Sequence, residues 1–94
     1  MIQYEAKDFP ENGLEATGED VTVYVPAGTP CRTYKLYGDK DGSIIVEGRG
    51  NGGALRSGEG NGDGHAWRAG SGYGHAWRYG EGKGNAVRTG EGDG

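Results

Sequence analysis

The sequence is poor in the residues that cross-link a fold or anchor it in a membrane. It contains one cysteine, Cys31, so it can form no internal disulfide, and a lone thiol gives no zinc site. A free cysteine is typical of a reducing compartment. The first ten residues, MIQYEAKDFP, contain charged side chains and no apolar run, which predicts neither a secretory signal nor a transmembrane span. These absences predict a cytoplasmic protein.

Helical periodicity is missing as well. No stretch has apolar residues spaced by three and four over two turns, so we expect no helix longer than one turn. The N-terminal part, residues 1–47, instead contains short β-rich segments, namely VTVYV, CRTYKLYGD and GSIIVEG. Between them lie turn sequences that combine proline, glycine and asparagine, such as PENG and PAGTP. This part is also acidic, and six of its acids fall in the first twenty residues: Glu5, Asp8, Glu11, Glu15, Glu19 and Asp20.

Glycine dominates the second part of the chain, residues 48–94. Every even-numbered residue there is Gly, Ala or Arg, and the larger side chains occupy odd positions. A period of two is that of an extended chain, whose side chains alternate between faces, whereas collagen has a period of three. A ten-residue repeat, G-x-G-[HN]-A-[WV]-R-x-G-[ES], lies on top of it. The two-residue insert at Gly60 and Asn61 preserves the phase, which indicates that the alternation is structural.

A short strand and a glycine bend in every ten residues predict an all-β, short-repeat β-solenoid, a β-helix-like fold. One or two repeats would form a coil, and residues 1–47 would form a β-rich cap continuous with the repeats of 48–94 as one domain. The alternative is an antiparallel meander with one strand per repeat. The repeats reach the C-terminus without a polar cap, so we also expect an open end that favours homo-oligomers.

The repeat leaves two choices for the inner face. Four buried arginines would need partners, because burying unpaired charge costs several kcal/mol. The other face therefore becomes the predicted core row: Leu55, Trp67, Trp77 and Val87. Outward-facing arginines form a candidate binding site for phosphates or carboxylates: Arg56, Arg68, Arg78 and Arg88. The alternative is a solvated face on which these arginines pair with Glu59, Glu81 and Glu91.

Other candidate chemistry is weaker. His65 and His75 occupy equivalent repeat positions, but the corresponding residues in the other copies are Asn85 and Gly53, so we expect hydrogen bonding and no metal site. No catalytic set can be assigned and no cofactor motif is present, which argues against an enzyme. The net charge of −4 and the acidic start make nucleic acid a less favoured partner.

The stretches VTVYVPAGTPCRTYKLYGDKDGSIIVEGRG and GDGHAWRAGSGYGHAWRYGEGKG resemble a group of small glycine-rich proteins encoded by phages and prophages of enteric bacteria. These carry a variable number of RxGEGxGxA units, and the resemblance covers most of the chain. It implies a phage-type accessory protein that acts in the bacterial cytoplasm by binding a host protein and inhibiting a host enzyme or defence system. The alternative functions are nucleic-acid binding through the arginine row and a structural, self-assembling module.

Overall fold

The computed structural model describes residues 2–58, 64–72, 74–80 and 84–89, with Arg88 described by its backbone only. Within these residues the chain forms nine strands and one 3-10 turn, Ala6–Asp8. No helix among them is long and apolar enough to span a membrane. The strands are β1 (Ile2–Glu5), β2 (Leu14–Glu15), β3 (Val21–Tyr24), β4 (Thr33–Tyr37), β5 (Ile44–Glu47), β6 (Gly53–Gly58), β7 (Ala66–Ala69), β8 (Ala76–Gly80) and β9 (Ala86–Arg88).

The strands alternate between two parallel sheets. The odd-numbered strands form a five-stranded sheet in the order β1-β3-β5-β7-β9, and the even-numbered strands form a four-stranded sheet in the order β2-β4-β6-β8. From β3 onward, each strand therefore lies on its counterpart from the previous coil, and the chain winds as a β-solenoid of about four coils. The predicted solenoid is confirmed, and the meander is wrong because the pairings are parallel, not antiparallel.

Register explains how the ten-residue repeat is used. Ile44 pairs with Ala66 and Ala66 pairs with Ala86, so successive coils contain 22 and then 20 residues. A coil of the repeat region thus takes two repeats, one in each sheet. The longer coil includes the two-residue insert, and the strands on either side of it keep the same inward phase. The N-terminal part and the repeats share both sheets, since β4 pairs with β6 and β5 pairs with β7.

The interior changes character along the solenoid axis. In the first coils it is apolar, and Phe9 packs edge-on against Tyr4 and Tyr34 at the N-terminal end. The later coils contribute only alanines to the apolar core. The buried apolar residues are Ala6, Phe9, Ala16, Val21, Val23, Val25, Tyr34, Leu36, Ile44, Val46, Ala54 and Ala66.

Candidate binding surface

Arg56 lies on β6 and its side chain is fully buried inside the solenoid. Its Nε donates to the Gly42 carbonyl at 2.6 Å and its Nη2 to the Lys40 carbonyl at 2.6 Å. Its Nη1 donates to the carbonyls of Ser57 at 2.6 Å and Gly38 at 3.3 Å. All but one of these acceptors belong to the bend between β4 and β5, one coil earlier. The guanidinium therefore fills the inside of that bend.

Arg68, on β7, repeats this arrangement at the opposite end of the coil. It is also fully buried. Its Nε donates to Gly52 O at 2.7 Å, and its Nη2 donates to Gly50 O at 2.7 Å and Gly48 O at 3.4 Å. Its Nη1 donates to Val46 O at 3.3 Å. The glycine acceptors form the bend between β5 and β6, again one coil earlier.

The two remaining arginines of the row follow in the last repeats. Arg78 is partly buried, and its Nε donates to Gly64 O at 2.9 Å in the bend before β7. The side chain of Arg88 lies outside the described residues. The three described side chains share one role, which is to hold a bend of the preceding coil from the inside. Hydrogen bonds from charged donors are among the stronger ones in proteins, at about 1.5–3 kcal/mol each.

The buried arginines explain why glycine recurs at even positions. A Cβ at Gly64 would overlap the Gly42 carbonyl oxygen and would lie 2.9 Å from Arg56 Nε. A Cβ at Gly72 would overlap the Gly50 carbonyl oxygen and would lie 2.6 Å from Arg68 Nη2. At these bends the backbone rests directly on the backbone of the coil beneath, and the guanidinium occupies the remaining space. No side chain fits, so the inward position must be glycine.

The predicted outward facing is therefore wrong for Arg56, Arg68 and Arg78, the three arginines whose side chains are described. The argument against burial treated the guanidinium as unpaired, but up to five N–H donors meet carbonyls that point into each bend. Those carbonyls lie 14 to 20 residues earlier in the chain, so no local pattern displays them. As placed, Arg56 and Arg68 cannot contact a phosphate or a carboxylate of a partner.

The predicted core row is wrong for the same reason, because it lies on the outside. Trp67 is 43% exposed. Leu55, Trp77 and Val87 are half-buried on the outer faces of the two sheets. A phase signal was available in the sequence: Ile44 and Val46 have the same parity as the glycines, alanines and arginines that follow them, so one inner face continues across the composition change.

The outer face of the five-stranded sheet carries an apolar column. Register places Ile45, Trp67 and Val87 side by side on β5, β7 and β9, and we call these three residues the Trp67 column. The Trp67 Nε1 donates to Thr89 Oγ1 at 3.3 Å, which orients the indole along the sheet. An exposed, oriented tryptophan between two aliphatic side chains is the kind of anchor that protein interfaces use.

The second tryptophan is placed differently. Trp77 stands next to Leu55 on the four-stranded sheet. Its ring covers Gly53, where an added Cβ would lie 2.9 Å from the Trp77 Cζ3. The His75 ring packs beside it, with ring centroids 5.3 Å apart. Trp77 therefore packs much of its apolar surface against its own solenoid. Trp67 is the more accessible of the two tryptophans for a binding partner.

The histidines take part in hydrogen bonds between coils. The His65 backbone N–H donates to Ser43 Oγ at 2.9 Å, and His65 Nδ1 accepts from the Asn85 backbone N–H at 2.9 Å. This fixes the His65 ring beside the edge of the Trp67 column. Within the described ranges, no three side chains of His, Cys, Asp or Glu come together as metal ligands would.

Comparison with known proteins adds no relative. No protein-family model, no curated protein and no solved structure matches this chain.

Proposed function

We propose that this protein is a non-catalytic binding protein that holds a partner protein on the outer face of its five-stranded sheet. The observation that carries the proposal is the 43% exposure of Trp67 at the centre of the Trp67 column. Small and charged residues fill the interior of the later coils, which leaves the large apolar side chains of the repeats on the surface. Tryptophan and tyrosine dominate the binding energy of many protein interfaces.

We further propose that the partner is a host protein in the bacterial cytoplasm and that binding inhibits a host enzyme or defence system. This part rests on the resemblance to phage-encoded glycine-rich repeat proteins. Nucleic-acid binding through the arginine row loses its basis, because Arg56 and Arg68 are buried and bound to backbone carbonyls. Self-assembly through the C-terminal end of the solenoid stays a prediction.

The test is an affinity capture from an enteric bacterial lysate with three baits, each with and without nuclease. The baits are the wild-type chain, Trp67→Ser, and Tyr79→Ser as a control that removes a 59% exposed aromatic from the other sheet. We expect one protein to be retained by the wild type and by Tyr79→Ser, with or without nuclease, and lost from Trp67→Ser. Thermal melts establish that all three baits are folded.

Two outcomes contradict the proposal. Retention of the same protein by Trp67→Ser would show that the Trp67 column is not part of the interface. Capture that disappears on nuclease treatment would indicate nucleic acid as the direct partner.

A further inference from the structure

A cavity of about 560 Å³ opens at the N-terminal end of the solenoid, away from the Trp67 column. It lies between the end of β1 with the 3-10 turn and the bend that joins β3 to β4. Its walls include Ala6, Pro26, Pro30 and Tyr34. A volume of this size, mostly apolar with a few polar groups, is typical of small-molecule sites.

The bend beside this cavity differs from its counterpart in the next coil. The bend between β5 and β6 is filled by Arg68, which reaches down from the coil above. One coil earlier, the residue in register with Arg68 is Val46, whose side chain has no donor for the carbonyls of the bend between β3 and β4. In register, an aliphatic side chain thus stands beside this bend, where a guanidinium fills the next one.

Arg32 gives the cavity a cationic wall. Its guanidinium carbon lies 4.7 Å from the centroid of the Tyr34 ring, and its Nη2 donates to the carbonyls of Phe9 at 3.2 Å and Pro10 at 3.1 Å. Among the described residues, these bonds leave its Nε and Nη1 without an acceptor. Lys7 adds a second cation and Glu5 one anion, so the charged lining is net positive.

The Tyr34 hydroxyl supplies the second, independent observation. Tyr34 lines the cavity and is fully buried, and its hydroxyl has no hydrogen-bond partner among the described residues. Burial raises the pKa of Tyr34, and Arg32 and Cys31 are among the neighbours whose charges also act on the hydroxyl. Buried hydroxyls are nearly always paired, because an unpaired one loses its water without compensation. The hydroxyl has almost no accessible surface as placed, so a ligand oxygen could bond to it only with a shift of the side chains around the Tyr34 ring.

We propose that this cavity is a binding site for a small carboxylate with an apolar or aromatic body. The carboxylate accepts from the free nitrogens of Arg32, with Lys7 adding charge at the mouth. It reaches the buried Tyr34 hydroxyl when the Arg32 guanidinium, which lies over the Tyr34 ring, shifts toward the ligand. The apolar body packs on Pro26 and Pro30. This site is separate from the proposed protein-binding face and does not depend on it.

Cys31 makes the proposal testable, since this thiol is exposed and lines the same cavity. The probe is 2-naphthoate, and the measurement is the rate at which the Cys31 thiol reacts with the disulfide reagent DTNB. We expect millimolar 2-naphthoate to slow the reaction saturably. The matched uncharged compound, 2-naphthalenemethanol, should protect at least about tenfold more weakly because it cannot accept charge-assisted bonds.

Tyr34→Phe is the variant that decides, because the hydroxyl has no internal partner to lose and the fold should be kept. It should raise the 2-naphthoate concentration for half-protection by about fivefold to tenfold, with the unliganded thiol rate and the melting temperature not reduced. Lys40→Ala, in a bend at the opposite end of the coil, should leave protection unchanged. An unprotected thiol, equal protection by the alcohol, or full protection of Tyr34→Phe would each overturn the proposal.

Discussion

The first coils and the later coils have the same geometry and opposite interiors. Leu36 on β4 is directly followed in register by Arg56 on β6, and Val46 on β5 is followed by Arg68 on β7. All four side chains are fully buried. One solenoid can therefore be filled either by aliphatic side chains or by guanidinium groups that bind the backbone.

The two interiors place different demands on the bends. Around the aliphatic interior the bends contribute side chains of their own, and Ala6, Phe9 and Ala16 are buried there. Around the arginine interior the bends contribute carbonyls, and their inward positions are glycines such as Gly50 and Gly72. Arginine and glycine thus depend on each other. The buried guanidinium needs the bend carbonyls as acceptors, and those carbonyls come close enough to it only where the bend residues carry no Cβ.

The largest expected effect comes from removing a buried guanidinium. Arg68→Met should lower the free energy of unfolding by about 3–5 kcal/mol, because the carbonyls of the bend would stay buried without donors. Urea unfolding followed by tryptophan fluorescence measures it. Arg49→Met, at an exposed bend residue, should change stability by no more than about 0.5 kcal/mol.

Arg68→Lys separates charge from geometry in the same assay. An ammonium keeps the charge but cannot donate to three glycine carbonyls in a fixed fork, so this variant should also be strongly destabilised. Wild-type stability of Arg68→Met would contradict the account of the arginine interior altogether.

The aliphatic interior is tested on the other sheet, at Leu36, which lies one coil before Arg56. Leu36→Ala should lower the free energy of unfolding by about 2–5 kcal/mol, as expected for a fully buried leucine. Leu55→Ala is the matched control, because it removes the same atoms from the half-buried outer row at a cost of about 1 kcal/mol or less. Equal losses in the two variants would mean that the outer row packs as a core.

The repeat region shows which parts of the structure can be predicted from sequence and which cannot. The periods of two and ten predict short strands joined by regular bends, because strand alternation and bend spacing are local properties, and they favour a solenoid over a meander without excluding the meander. The choice of face is not local, since it depends on whether Arg56 can find acceptors at Gly38, Lys40 and Gly42. The exposure of Trp67 follows from that choice of face. Because the sequence analysis places Trp67 in the core, it does not predict the Trp67 column as a binding surface.

Glycine substitution tests the dependence of the arginine interior on bare backbone. Gly72→Ala should cost about 1–3 kcal/mol, since its Cβ would press on the Gly50 carbonyl and the Arg68 Nη2. Gly28→Asn should be mild, because Gly28 has a φ of 90° with open space around it, and asparagine tolerates that conformation. Thermal and urea unfolding of the two variants compare the stability cost of a close backbone contact with that of a left-handed backbone conformation. A small loss of stability in Gly72→Ala would contradict the account, because it would mean that the coils can move apart without cost.

The smallest effect concerns Tyr34, where the two interiors meet. Its ring lies under Gly52, at which a Cβ would fall 2.5 Å from Tyr34 Cε2, and its buried hydroxyl has no partner among the described residues. Tyr34→Phe should therefore raise the free energy of unfolding by about 1 kcal/mol at neutral pH. Burial raises the pKa of Tyr34 above its usual value, so the unfolded chain releases this proton first and stability falls as pH rises past about 10. In urea unfolding at pH 7 to 11, Tyr34→Phe should lose less stability than the wild type as the pH rises. A lower free energy of unfolding for Tyr34→Phe at neutral pH would show that the hydroxyl has a hydrogen-bond partner inside the fold.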